Sequence, residues 1–81
     1  MKIKFENVGR HKRTWEAEYP RDVSLQAAAE NEGWWLRQLH GAILSTPDWF
    51  YNKEEDCVDI FAGWRCVGKA YIVKQEEASN D

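Results

Sequence analysis

The segment DVSLQAAAENEGWWLRQLHGAIL, residues 22–44, decides how the rest of this chain must fold. Apolar residues recur within it at every third or fourth position: Leu25, Ala28, Ala29, Trp35 or Leu36, Leu39, and Ala42 or Ile43. This spacing is typical of a helix with one apolar face. Asp22 and Ser24 are both suitable N-caps, because their side-chain oxygens can accept hydrogen bonds from the first free backbone N–H groups. The pattern predicts one helix over residues 23–44.

Gly33 interrupts this pattern and leaves a second interpretation open. A glycine inside a helix costs about 1 kcal/mol relative to alanine. The alternative ends the helix at Glu32, uses Gly33 as the residue just after it, and continues from Trp34 as a strand. We favour one helix, kinked at Gly33, because the apolar positions keep their phase across the glycine.

Two segments before the helix, residues 2–8 and 13–19, alternate between apolar and charged residues and predict a β-hairpin. The residues between them supply the turn. The apolar residues of one face are Ile3, Phe5, Trp15, Ala17 and Tyr19. Since one face of the hairpin is apolar, that face must be buried against another element, and the helix can provide this packing.

The chain after the helix predicts two further strands. Pro47 ends the helix, because proline disfavours helical geometry in the residue before it. Residues 57–61 and 64–73 are strand-like, with a tight turn at Ala62-Gly63. The prediction is an α+β fold in ββαββ order: a four-stranded, mostly antiparallel sheet with one helix packed on one face. It forms a single domain over residues 1–74, followed by a polar, frayed tail over residues 75–81.

The composition is that of a small soluble protein. Of 81 residues, 43% are hydrophobic and 31% are charged, and no apolar run approaches the roughly 18 residues of a membrane span. The first residues alternate between charged and apolar side chains, so they lack the apolar core of a secretory signal. We therefore expect a cytoplasmic protein with no membrane partner.

The sequence contains no motif of a known catalytic or cofactor-binding site. It has no Walker loop, G-x-G-x-x-G or G-x-S-x-G pattern. The nine-residue separation of Cys57 and Cys66 is not that of a structural zinc pair, and neither histidine lies near them in sequence. In the predicted register Phe61 faces Trp64, which leaves the cysteine Cα atoms roughly 7–8 Å apart, too far for a disulfide. We expect free, largely buried thiols, no metal, no cofactor and no enzymatic activity.

Charge is distributed unevenly along the chain. Residues 1–21 carry six basic and three acidic side chains, whereas the whole chain has a net charge of −3. The cations Arg10, Lys12 and Arg13 lie beside Trp15, a combination that can hold phosphates while the ring stacks on a base. Binding of nucleic acid through this loop is therefore an alternative function. It is not the main prediction, because the remaining chain is acidic and would repel phosphates, and because Trp15 falls on the predicted core face.

The aromatic cluster Trp49-Phe50-Tyr51 carries the main functional prediction. It follows the end of the helix and precedes three consecutive acids, which predicts a surface loop that cannot bury all three rings. An exposed aromatic beside charges is typical of an interface anchor, although the rings could instead close the open end of the core. We expect a non-catalytic protein-binding module (an inhibitor, adaptor or accessory subunit) that contacts another protein through this cluster, with Arg10, Lys12 and Arg13 as the second contact region.

Overall fold

The computed structural model describes residues 1–43 and 45–73. Within them, the elements are β1 (Lys2–Val8), β2 (Arg13–Glu18), α1 (Leu25–Ala28), α2 (Glu32–Leu39), β3 (Pro47–Asn52), β4 (Cys57–Ala62) and β5 (Arg65–Ile72). The strands form one antiparallel sheet in the order β2-β1-β5-β4-β3. The predicted α+β class is confirmed, but the sheet has five strands rather than four, and two helices replace the predicted one. The predicted tail, residues 75–81, lies outside the described residues.

The helices pack on one face of the sheet, which we call the inner face. Its centre is formed by alternate residues of three adjacent strands: Ile3, Phe5, Val58, Ile60 and Ala70, all fully buried. Trp35 and Leu39 of α2 are also fully buried and belong to the same apolar cluster. The opposite, outer face of the sheet carries the remaining strand side chains. Burial of one face alone accounts for the alternation seen in β1 and β2.

The predicted helix over residues 23–44 is wrong, and so is the alternative that ends it at Glu32. The first helix ends at Ala28 with Ala29 as its C-cap, and Asn31 starts a new helix by accepting a hydrogen bond from the N–H of Trp34 at 3.3 Å. Gly33 therefore lies within α2 rather than at a kink or a C-terminus. Ser24 is confirmed as the first N-cap. Neither described helix is long and apolar enough to span a bilayer.

The aromatic cluster Trp49-Phe50-Tyr51 lies in β3 rather than in a loop, which corrects the prediction. Trp49 pairs with Ile60, and Phe50 pairs with Asp59 of β4. Because successive side chains of a strand point to opposite faces, Phe50 lies on the outer face while its two neighbours lie on the inner face. Because aromatic residues lie on both faces of β3, its sequence lacks the apolar–polar alternation that predicts a strand.

The hairpin of β4 and β5 turns one residue later than predicted. Ala62 pairs with Arg65, so the turn residues are Gly63 and Trp64, and Gly63 has the positive φ of +68° that suits a tight hairpin turn. Phe61 therefore faces Cys66 rather than Trp64. Beyond this pair the register shifts by one residue, and Val67 is the extra residue of a bulge. Next to this bulge, Val8 of β1 lies close to the backbone of Gly68.

Candidate functional site

The outer face of the sheet carries a row of charged side chains that ends in an aromatic ring. Glu6, Lys69, Asp59 and Phe50 are successive cross-strand partners on β1, β5, β4 and β3. The ammonium of Lys69 lies 3.5 Å from the carboxylate of Glu55, and the charge of that carboxylate raises the pKa of Lys69. These groups are partly exposed, so the ion pair adds little to stability. The row keeps this part of the outer face polar up to Phe50.

An exposed aromatic surface begins where this row ends. Phe50 is 61% exposed, and its ring meets that of Phe61 edge-to-face with 5.7 Å between ring centroids. Trp64, in the turn that directly follows the strand of Phe61, is 96% exposed. We use the name outer aromatic patch for Phe50 and Phe61, whose rings are in contact, together with Trp64 in the adjoining turn. The rings of Phe50 and Trp64 are thus largely in solvent, although large rings gain free energy from burial.

The two cysteines are free but differ in environment, which corrects the expectation that both are buried. Cys57 is buried, and its Sγ lies 3.7 Å from a carboxylate oxygen of Asp59 and 3.9 Å from one of Glu55. Burial, together with the charge of Asp59, raises the pKa of the Cys57 thiol. Cys66 is exposed opposite Phe61. The thiol next to the outer aromatic patch is therefore the accessible one.

The structure separates the three aromatic residues predicted as one contact cluster. The indole of Trp49 packs among core residues on the inner face and donates a hydrogen bond to the carbonyl of Ala29 at 2.8 Å. The hydroxyl of Tyr51 donates to a carboxylate oxygen of Asp56 at 2.9 Å, which raises the pKa of Tyr51. Of the three rings, that of Phe50 is the one available on the outer face.

Trp64 is the exposed aromatic that sequence reasoning missed. The sequence placed it in a strand, on the face it shares with Cys66 and Ala70. The available signal was the pair Gly63-Trp64, because a glycine is preferred at the first position of a type II′ turn. Moving the turn by one residue removes Trp64 from the strand and leaves its ring in solvent.

Of the predicted basic residues, Arg10 and Lys12 lie in the turn between β1 and β2 and Arg13 is the first residue of β2, and all three are exposed. Arg13 donates a hydrogen bond from Nη1 to the carbonyl of Gly41 at 3.2 Å, which holds it near the end of α2. The N–H of Gly9 donates to the carbonyl of Val67 at 2.9 Å, and Val67 lies near the start of β5. The basic turn and the turn containing Trp64 are therefore at the same end of the sheet.

A shallow groove of about 260 Å³ lies beside the basic turn. Arg13, Trp15 and Gln38 contribute to its lining. One face of the Trp15 indole stacks on Phe5, with 4.7 Å between centroids and 5° between planes. The indole is half-buried rather than enclosed, so its remaining surface is accessible from this groove.

Comparisons with models of known families, with curated proteins and with solved structures give no match to this chain. Among residues 1–43 and 45–73, no group of three or more His, Cys, Asp or Glu side chains is placed to hold a metal ion.

Proposed function

We propose that this chain is a small non-catalytic protein-binding module, of the inhibitor, adaptor or accessory-subunit class, that acts by occupying a partner's surface. The observation that carries the proposal is the outer aromatic patch, in which Phe50 is 61% and Trp64 is 96% exposed. Tryptophan in particular is enriched among residues that dominate binding energies. The non-catalytic assignment rests on the sequence, which contains none of the nucleotide-binding or nucleophile motifs sought.

The charges near the patch indicate the chemistry of the partner. The exposed cations Arg10, Lys12 and Arg65 lie at the end of the sheet that carries Trp64. The acidic residues Glu54 and Asp56 lie in the turn after β3, at the opposite end. A protein with acidic side chains around an apolar pocket would be attracted to the basic end and could receive the tryptophan ring.

The proposal is tested by affinity capture from an extract of the source cells with the wild-type chain and with a Phe50→Ser, Trp64→Ser double variant. The two substitutions remove the exposed rings without touching the inner face. We expect the partner to be captured by the wild type and lost with the double variant. Its purified form should then bind at least tenfold more weakly to the double variant in titration calorimetry, because anchor residues typically contribute 2 kcal/mol or more, roughly thirtyfold.

Tyr71→Ser is the matched control, since Tyr71 is an aromatic of the same outer face that pairs with Lys4, nearer the opposite end of the sheet. This variant should capture the partner as the wild type does. Thermal unfolding of all three proteins separates loss of binding from loss of fold. Equal capture by the wild type and by a folded double variant would refute the role of the patch.

The groove at Trp15 supports a second candidate function, the binding of single-stranded nucleic acid. The accessible part of the indole lies beside Arg13 in the groove lining, and Arg10 and Lys12 are exposed in the adjoining turn. Stacking on a ring with phosphate contacts alongside is how such strands are bound without sequence preference. A labelled oligonucleotide should then bind with an affinity that falls steeply with salt, and an Arg10→Gln, Lys12→Gln double variant should flatten that dependence. An affinity independent of salt would exclude this function.

A further inference from the structure

The free edge of β3 is unlike the other edge of the sheet. Among the described strands, β3 pairs with β4 alone and β2 pairs with β1 alone, so these two strands form the edges. The β2 edge carries the charged residues Arg13, Glu16 and Glu18, which discourage pairing with another strand. Within β3, by contrast, Asp48 is the one charged residue. An edge strand presents unpaired backbone N–H and C=O groups and can accept a further strand.

The sequence of β3 is self-complementary when two copies run antiparallel about Phe50. In that register Phe50 faces Phe50 of the second copy, Trp49 faces Tyr51, and Asp48 faces Asn52. The two outward rings would be adjacent on the outer face, an arrangement that stabilises antiparallel pairs. No like charges face one another within the paired strands. A two-fold interface of this kind repeats every contact twice, which is the usual geometry of homodimers.

Opposite charges flank the two ends of β3. A groove of about 460 Å³ borders its start and is lined by Arg37, His40 and Thr46, among other residues. Its end is followed by the acidic turn that contains Glu54 and Asp56. An antiparallel pair places the start of each strand beside the end of the other, so the acidic turn of one copy would meet the basic groove of the second copy.

The groove and the acidic turn also lie on the same side of the sheet. The groove lies on the inner-face side, because α2 supplies Arg37 to its lining. Asp56 lies on that same side, since it accepts a hydrogen bond from Tyr51, an inner-face residue of β3. Charge and geometry therefore match at both ends of the strand.

We propose that a second copy of this chain pairs with β3 edge-to-edge and antiparallel about Phe50, forming a two-fold dimer with a continuous sheet. The acidic turn of each copy occupies the groove beside Arg37 and His40 of the other. This inference goes beyond the proposed protein-binding function. The two share Phe50, but the test of the dimer depends on the charges at Arg37 and Glu54, which lie outside the outer aromatic patch.

A charge exchange tests the dimer. Sedimentation equilibrium of the wild type should show a dimer whose fraction rises with concentration. Arg37→Glu alone places two acids together at each end of the interface, and Glu54→Lys alone places two cations together, so each variant should dissociate at least tenfold more readily. In an equimolar mixture the acid introduced at position 37 of one variant meets the cation introduced at position 54 of the other. At the opposite end the unchanged Arg37 and Glu54 meet, so the dimer should be restored.

Arg21→Glu is the matched control, because it makes the same charge change just after the β2 edge. It should leave the dimer unchanged, and circular dichroism should show that all variants are folded. A wild type that stays monomeric at its solubility limit overturns the proposal, as does a mixture that stays monomeric or a dimer insensitive to both substitutions. Phe50 and Trp64 are intact in these variants, so their capture of the partner reports on the proposed function separately.

Discussion

The indole rings of Trp35 and Trp49 lie stacked, with 6.0 Å between their centroids and 17° between their planes. Each donates its Nε1–H to a carbonyl at the end of α1: Trp35 to Ala28 and Trp49 to Ala29, both at 2.8 Å. Carbonyls at the end of a helix lack partners within the helix. The two indoles supply such partners, and the carbonyl of Ala28 also accepts from the N–H of Asn31. The indole hydrogen bonds therefore link the end of α1 to α2 and β3.

Trp49 and Phe50, adjacent in sequence, should respond differently to substitution. Trp49→Ala removes core packing and leaves the carbonyl of Ala29 without its indole donor, so we expect a loss of about 2–3 kcal/mol in the free energy of unfolding. Phe50→Thr places a β-branched residue at an exposed strand position and should change that free energy by less than about 1 kcal/mol. Urea unfolding measures both. Equal losses at the two positions would contradict the assignment of opposite faces.

Leu36 and Leu39 should also differ, although the helical pattern predicted both as buried. Leu39 is fully buried, and Leu39→Ala should destabilise the protein by about 2–5 kcal/mol through lost burial and the cavity it leaves. Leu36 is 40% exposed, so Leu36→Ala should cost less than about 1 kcal/mol. Denaturant midpoints of the two variants give the comparison. A larger loss for Leu36→Ala would show that α2 is rotated relative to the structure.

Two glycines should respond to alanine with opposite signs. A Cβ at Gly68 would lie 2.7 Å from Cγ2 and 2.8 Å from Cα of Val8, so Gly68→Ala must separate β1 from β5 and should cost about 1–3 kcal/mol. A Cβ at Gly33 would meet nothing within 4 Å. Because Gly33 lies in α2, Gly33→Ala should stabilise the protein by up to about 1 kcal/mol. Thermal unfolding reports both signs, and a destabilising Gly33→Ala would argue against helical geometry there.

The first two strands were predictable from sequence because they bury one face and expose the other. The break between α1 and α2 was not, since Leu25, Ala28 and Leu39 are buried on both sides of it and keep a helical spacing. Asn31 followed by an acidic residue is a helix-start signal that competed with this spacing. At the break, the carbonyls of Ala28 and Ala29 accept hydrogen bonds from the indoles of Trp35 and Trp49, and such contacts depend on the tertiary fold.

The candidate site was predictable only in part. Three consecutive aromatic residues predict at least one exposed ring, and Phe50 is exposed, although the segment is a strand rather than the predicted loop. Trp64 is exposed because the turn of the β4–β5 hairpin lies one residue later than predicted, so that Ala62 pairs with Arg65. A shift of one residue exchanges the faces of a strand, and the sequence of the hairpin alone does not specify it.

The two thiols should react at different rates. Cys66 is exposed and should react with a disulfide reagent as an ordinary thiol does, whereas Cys57 is buried with a raised pKa and should react slowly until the protein unfolds. A Cys66→Ser variant should therefore retain only the slow phase at pH 8. Time courses of reagent absorbance measure the two phases. Two fast thiols in the folded protein would contradict the burial of Cys57.

Cys57 should also make stability depend on alkaline pH. The thiol ionises near pH 8.5 in the unfolded chain, while burial raises its pKa in the folded protein. Between these two values the folded state binds more protons than the unfolded state, so the free energy of unfolding falls as pH rises. The raised pKa values of Tyr51 and Lys69 act in the same direction. Their leading causes, Asp56 for Tyr51 and Glu55 for Lys69, remain in the variant, whereas the contribution of the Cys57 charge to each is lost with the thiol. Urea midpoints from about pH 7 to about pH 10 should therefore fall more steeply for the wild type than for Cys57→Ala, and parallel curves would show that the thiol is not desolvated.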